Sequence, residues 1–255
     1  MNIALVGAGN LATNIGKAFV RARHSVVQVF SRTESSARDL ASALGCSYTV
    51  SVEDVVDDAD LYVIALKDSA LGDVAGRLVQ GREKCLFVHT AGSIDMDVIP
   101  ALRRGVLYPM QTFSKAREVD FQAIPCFVEA SQATDAALLK SLASEISSKV
   151  YELNSENRKF LHLSAVFCCN FANHCFRIGE KLLNEHGGVP FDVMLPLIDE
   201  TARKLHALSP GEAQTGPAVR WDENVIGMQL GLLSDKPDLQ HIYELLSKSI
   251  HDDKL

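Results

Sequence analysis

The segment Val6-Gly7-Ala8-Gly9-Asn10-Leu11-Ala12 follows a short apolar run, Ile3 to Val6, and opens a stretch from Leu11 to Arg21 with apolar residues at helical spacing. A GxGxxA pattern between a strand and a helix narrows the choice of fold more than any other feature of the chain, because each small residue meets a geometric demand. Gly7 makes the tight turn, Gly9 lets the backbone approach a pyrophosphate, and Ala12 lets the helix pack close to the sheet, while the first N–H groups of the helix face the anion. A second β-rich run, Ser25 to Phe30, completes a βαβ unit over Met1 to Thr33. A plain tight turn could use the same glycines, but the strand-turn-helix context predicts a dinucleotide held by Gly7, Ala8, Gly9, Asn10, Leu11 and Ala12.

The end of the second run selects the dinucleotide. An NAD site places Asp or Glu there, about 20 residues beyond the glycines, to accept hydrogen bonds from the ribose 2′-hydroxyl. This chain has Phe30-Ser31-Arg32-Thr33. A guanidinium between two hydroxyls suits a 2′-phosphate dianion through charge-assisted hydrogen bonds, so Ser31, Arg32 and Thr33 predict NADP, the alternative being a solvated surface arginine. Two further strand ends border the same crevice, because ligands of open α/β sheets bind outside the carboxyl ends of the strands. They are Ala65-Leu66-Lys67, followed by Asp68 as a candidate helix cap, and Thr90-Ala91-Gly92, followed by Ser93 as a turn residue.

Strand-like runs continue at Leu61 to Leu66, Cys85 to His89, Val106 to Tyr108, Cys126 to Glu129 and Val150 to Leu153, with helical patterns at Ser35 to Leu44, Ser69 to Leu78 and Thr134 to Ser148. The alternation predicts an α/β fold, a doubly wound and mainly parallel Rossmann sheet, over residues 1–153. From Asn154 the pattern becomes all-helical. Ser155 to Glu185 reads as one helix of roughly eight turns, and Pro190 to Leu208, Glu223 to Leu233 and Pro237 to Ile250 supply three more. A domain boundary near Asn154 is therefore expected, with a helical domain over 154–255 and a frayed tail from His251 to Leu255.

A length of 255 residues accommodates either one large domain or two modest ones. Acidic residues outnumber basic ones by 32 to 25, for a net charge of −7, and no Lys/Arg block suited to a phosphate backbone occurs, so neither nucleic acid nor an anionic membrane is an expected partner. With no spanning apolar run and no basic leader before Ile3, the chain reads as soluble and cytoplasmic. Cys46, Cys85, Cys126, Cys168, Cys169 and Cys175 show no CxxC spacing and sit mostly in apolar runs, so they are expected to be reduced core residues with no metal role.

GAGNLA, Ser31-Arg32-Thr33, His89-Thr90-Ala91-Gly92-Ser93, Tyr108-Pro109-Met110-Gln111-Thr112-Phe113, Leu161-His162-Leu163-Ser164-Ala165 with Asn170, and Thr215-Gly216-Pro217-Ala218-Val219-Arg220-Trp221-Asp222 resemble, in order and over nearly the whole chain, the bacterial Rossmann-like proteins with a helical C-terminal domain of unknown function. That family is similar in build to 6-phosphogluconate dehydrogenase, pyrroline-5-carboxylate reductase and deazaflavin-dependent NADP oxidoreductases. It often has His where this chain has Tyr108, and Ser where it has Ala91. The resemblance implies a nicotinamide cofactor, a homodimer through the C-terminal helices, and a small-molecule substrate in a cleft between the domains.

In the long helix, His162, Asn170 and Asn173 fall within a sector of about 80° at 100° per residue. They are either buried polar groups satisfied by backbone or a functional face, and the resemblance inclines to the second. His162 would then exchange the proton that accompanies hydride transfer, with Asn170 orienting the reacting group and Asn173 contacting substrate. Thr215 and Gly216, in a rigid Gly-Pro loop, and Arg220 as a fork for a carboxylate or phosphate complete the expected substrate contacts. The function expected is that of an NADP-dependent oxidoreductase acting on a small polar substrate, the alternative being a non-catalytic dinucleotide-binding sensor or scaffold.

Overall fold

In the computed structural model, which describes residues 1–117 and 119–252, the first half of the chain forms one eight-stranded sheet. Its strands are β1 (Asn2–Val6), β2 (Ser25–Phe30), β3 (Ser47–Thr49), β4 (Leu61–Ile64), β5 (Leu86–His89), β6 (Arg103–Pro109), β7 (Cys126–Ala130) and β8 (Val150–Glu152). They lie in the order β3-β2-β1-β4-β5-β6-β7-β8. All pairs are parallel except β6 with β7. Helices α1 (Asn10–Arg21), α2 (Glu34–Leu44), α3 (Asp68–Val79) and α4 (Ala133–Ile146) make the connections.

The apolar runs are continuous because both faces of the sheet are covered. In β1, Ile3 and Leu5 enter one buried cluster with Ile15 and Phe19 of α1, while Ala4 and Val6 enter the opposite one with Tyr62, Ile64 and Leu71. The strand order reverses at β1, which has β2 on one side and β4 on the other. A parallel sheet opens its ligand crevice at such a reversal. The short strand β3 and the helical turn α8 (Pro210–Ala213) are additions to the elements expected from periodicity, each too brief to set up a pattern.

From Ser155 the backbone runs helically to Glu185, as expected, but in three parts: α5 (Ser155–Ala165), a π-helical segment (Val166–Phe171) and α6 (Ala172–Glu185). Asn154 caps this run, its side chain accepting from the Asn157 amide at 3.0 Å. The chain forms two compact units, Met1–His174 and Cys175–Leu255. The second unit contains the rest of α6 with α7 (Leu195–Lys204), α8, α9 (Glu223–Leu232) and α10 (Pro237–Asp252). Residues 253–255, most of the tail expected to fray, lie outside the described residues.

The cysteines depart from expectation. Cys126 alone is buried, Cys46 and Cys85 are half-buried, and Cys168, Cys169 and Cys175 are exposed, all as free thiols. The last three stand in apolar sequence, but in this helix much of that apolar surface faces outward: Phe160, Leu163, Phe167 and Phe171 are exposed too. Apolar neighbours in sequence therefore did not mean burial. No helix among the described residues is long and apolar enough to cross a membrane.

Candidate functional site

The glycine-rich turn is built as the motif requires. Gly7 has φ of +126°, and a Cβ there would lie 2.2 Å from the Ala65 carbonyl oxygen, so no other residue fits without displacing the end of β4. The Gly7 amide donates to the Phe30 carbonyl at 2.8 Å, and the Ala65 amide donates to the Val6 carbonyl at 2.8 Å. Together these bonds lock the ends of β1, β2 and β4 at one edge. Gly9 and Asn10 are exposed, Leu11 is half-buried and Ala12 is fully buried. Gly9 caps α1 in an extended conformation, no side chain bonds the first-turn amides, and no carboxylate stands in that turn. This helix end is free to take an anion, and the glycine at its approach leaves open space where a Cβ would stand.

Beyond β2, Ser31 is half-buried while Arg32 and Thr33 are exposed. The Thr33 amide donates to the Ser31 hydroxyl at 3.4 Å. The nearest carboxylate in sequence, Glu34, accepts instead from the Tyr48 hydroxyl at 3.3 Å. Beyond β4, Ala65 and Leu66 are half-buried and Lys67 is exposed. Asp68 is not the cap of α3: Lys67 holds that position, and the Asp68 carboxylate accepts from the Ser93 hydroxyl at 2.5 Å, tying the β4 and β5 ends together.

At the end of β5, Thr90, Ala91 and Gly92 are buried. His89 organises their backbone. Its Nδ1 accepts from the Ala91 amide at 3.1 Å and its Nε2 lies 3.3 Å from the Asp95 carbonyl, which fixes a neutral ring protonated on Nε2. Burial, followed by the charge of Arg158, pushes its pKa down to about 4.

The next strand brings up Tyr108, whose Oη lies 3.0 Å from Nδ1 of His162 on α5. Gly92 makes that approach feasible, since a Cβ there would lie 2.5 Å from His162 Nδ1 and 2.9 Å from Tyr108 Cζ. Burial pushes the Tyr108 hydroxyl above its ordinary pKa, so it remains a phenol at neutral pH. One turn before His162 on the same helix, Arg158 is wholly buried. Its guanidinium pairs with Glu129 at 2.5 Å and donates to the Ile94 carbonyl at 2.6 Å and to the Ser155 hydroxyl at 3.0 Å. The Ser155 amide and hydroxyl donate to the same Glu129 carboxylate at 2.9 and 2.7 Å. This network clamps α5 to β7 and to the loop after β5. Sequence reading missed Arg158 and Glu129, although the four-residue spacing from Arg158 to His162 was the available sign of a shared helix face.

Between the end of β6 and the helix lies a cavity of about 340 Å³, with Tyr108, Met110 and Thr112 on one wall and His162, Cys169 and Asn170 on the other. The π segment contributes to this arrangement. Its wider turn advances fewer degrees per residue than an α-helix, which brings Asn170 closer in phase with His162 than regular α spacing would. Asn173, exposed on the following turn, is not part of the lining. Lys159 pairs with Asp95 at 3.2 Å in an exposed position.

Thr215, Gly216 and Arg220 belong to the helical unit. Gly216 has φ of +115°, and Thr215 and Arg220 are exposed. Beside them Trp221 packs on His251 with ring centroids 5.0 Å apart, and Asp222 caps α9 by accepting from the Val225 amide at 3.3 Å. Neither residue is engaged with Arg220.

A doubly wound sheet with a glycine-rich turn at its strand reversal, followed by a helical unit, defines a Rossmann-type dinucleotide-binding fold. Residues 2–91 match the family described as NADP oxidoreductase, coenzyme F420-dependent, and residues 124–250 match Domain of unknown function (DUF2520). The chain is 56% identical to a Bacteroides fragilis protein whose crystal structure is described as that of a putative NADP oxidoreductase, over 98% of both chains and with a TM-score of 0.93. The chain belongs to this family of NADP oxidoreductases. Its fold is also that of an imine reductase from Myxococcus stipitatus solved with NADP+ (14% identity, 99% and 93% of the chains, TM-score 0.68). A 1-pyrroline-5-carboxylate reductase from Streptococcus pyogenes is similar in the same way (13% identity, 99% and 98% of the chains, TM-score 0.63). No curated protein matches this sequence.

Proposed function

We propose that the protein binds NADP(H) in preference to NAD(H) and transfers hydride between the nicotinamide and a small polar substrate lodged beside His162. The observation that carries this reading is the contact at Gly92: the strand end expected to border the nicotinamide touches the His162 and Tyr108 rings that line the cavity. Gly7, Gly9 and the free amides of α1 suit the pyrophosphate. Ser31 and the exposed guanidinium of Arg32, with no carboxylate partner among the described residues, suit a 2′-phosphate. The nicotinamide supplies or accepts the hydride; the protein's part is to position the reacting atoms and manage the proton.

His162 exchanges that proton through Nε2, and the amide of Asn170 orients the carbonyl or imine. The similarity in fold to imine and pyrroline-5-carboxylate reductases supports a C=N or C=O compound as substrate. In the helical unit, exposed Leu197 (65%) and Leu232 (71%) support a homodimer through these helices.

The test is a fluorescence titration with NADPH and NADH, then a turnover screen over 2-oxo acids, β-hydroxy acids and cyclic imines. Tighter NADPH binding with turnover of one class is the expected result. Binding of neither nucleotide would overturn the reading, and tight NADPH binding with no turnover would make the protein a dinucleotide-binding sensor instead.

A further inference from the structure

We infer that Tyr108 is a positioning residue for proton transfer: its phenol donates to His162 Nδ1 and so holds the ring proton on Nε2, the nitrogen left for the cavity. The inference rests on the reading of His162 as the proton-exchanging group, and concerns a residue to which neither the motifs nor the family likeness assigned a part.

Three observations place Tyr108 in that role. The Oη to Nδ1 distance of 3.0 Å is that of a hydrogen bond, while Nε2 has no partner among the described residues. The two rings are gripped from separate directions: Tyr108 sits on β6 with its ring 6.3 Å from that of Phe127, and His162 rides on the helix that Arg158 clamps through Glu129 and the Ile94 carbonyl. Finally, Gly92 is the one residue whose missing side chain leaves room for both, because a single Cβ would overlap the phenol and the imidazole alike. A phenol kept protonated by burial is a loaded donor, and a neutral imidazole bonded at Nδ1 by an O–H carries its own proton on Nε2.

The proton balance follows. As the heteroatom of a carbonyl or imine takes the Nε2 proton, an N–H bond breaks and an O–H or N–H bond forms on the substrate. The phenol proton moves to Nδ1 in the same event, which spares the ring from becoming an imidazolate. The negative charge rests on the Tyr108 oxygen until Nε2 takes a proton from solvent and the Nδ1 proton returns to the phenolate, which restores the starting tautomer. Without the phenol, His162 has no neighbour at Nδ1 from which to restore what Nε2 gives up.

Nitrogen-15 NMR of the histidine-labelled protein tests the pair without need of a substrate. The expected spectrum of His162 has a protonated Nε2 and a bare, hydrogen-bonded Nδ1. Tyr108→Phe should move the Nδ1 resonance toward that of an unbonded imine-type nitrogen, and Gly92→Ala should do the same by forcing the rings apart. A wild-type ring protonated on Nδ1, or an Nδ1 resonance unmoved in Tyr108→Phe, would overturn the inference.

Turnover is read separately with 2-methyl-1-pyrroline and with a 2-oxo acid as probes. Tyr108→Phe should lower kcat by about 100-fold with KM nearly unchanged, a loss typical of general acid–base groups. An equal rise in KM at constant kcat would make Tyr108 a substrate contact and overturn the relay. Failure of the wild type to bind NADPH would defeat the reading of the site as a reductase centre, while the NMR result would still decide the pair.

Discussion

The two compact units are built on opposite economies. In Met1–His174 the sheet is covered on both faces, and the central strands β4 and β5 expose no side chain at all. In Cys175–Leu255 the buried residues, among those described, are Ala218, Ile226, Leu233 and Ser247, while Met228, Leu232 and Leu197 stand 60–71% exposed. The first unit makes its own core and commits Gly7, Gly92 and the buried Arg158 to particular contacts. The second carries many of its apolar side chains outward, the surface that the proposed homodimer would cover.

If that contrast holds, substitutions at committed positions of the sheet unit should cost most. Gly7→Ala combines a positive φ with overlap of the Ala65 carbonyl, and is expected to lose roughly 2–5 kcal/mol in chemical denaturation and to abolish NADPH binding. Arg158→Ala leaves Glu129 without its buried partner; a loss of about 3–5 kcal/mol is expected, with turnover falling as α5 loosens.

Acid should find the same unit. His89 is neutral and buried, and its folded pKa of about 4 lies below the ordinary 6.5. Below pH 6.5 the unfolded chain therefore binds a proton that the folded one refuses. This contribution to stability is whole above pH 6.5 and falls away as the pH drops toward 4, by roughly 3 kcal/mol. Denaturation midpoints taken across that range should flatten in His89→Gln; an unchanged slope would remove His89 as the cause.

The smallest effect is expected in the helical unit. Leu232→Lys should change the stability of the folded chain by less than about 0.5 kcal/mol, the usual size for an exposed position. In sedimentation, however, it should shift the protein toward monomer. A monomeric wild type would mean that the outward apolar face serves something other than self-association.

The same contrast explains what the sequence made legible. Strands β1, β2, β4 and β5 and the turn at Gly7 were readable because each is specified locally, by an apolar run or by small residues at fixed offsets. Tyr108, Arg158 and Glu129 were not, because their meaning lies in meetings between strands and helices far apart in the chain. A count at 100° per residue already set Asn170 on the face of His162, and the π segment brings the two closer in phase than that count gives. The cysteines misled for the complementary reason: apolar spacing in the long helix reports a face that wants burial, and in Val166–Phe171 that face is turned outward.

The central claim is that the sheet unit holds NADP(H), with Arg32 reading the 2′-phosphate. Paired titrations of the wild type and Arg32→Ala with NADPH and NADH test it most directly. The account predicts that the substitution weakens NADPH by roughly 1–3 kcal/mol, the range for a lost charged hydrogen bond, and leaves NADH nearly unchanged. Equal losses for both nucleotides, or a wild type that prefers NADH, would contradict it.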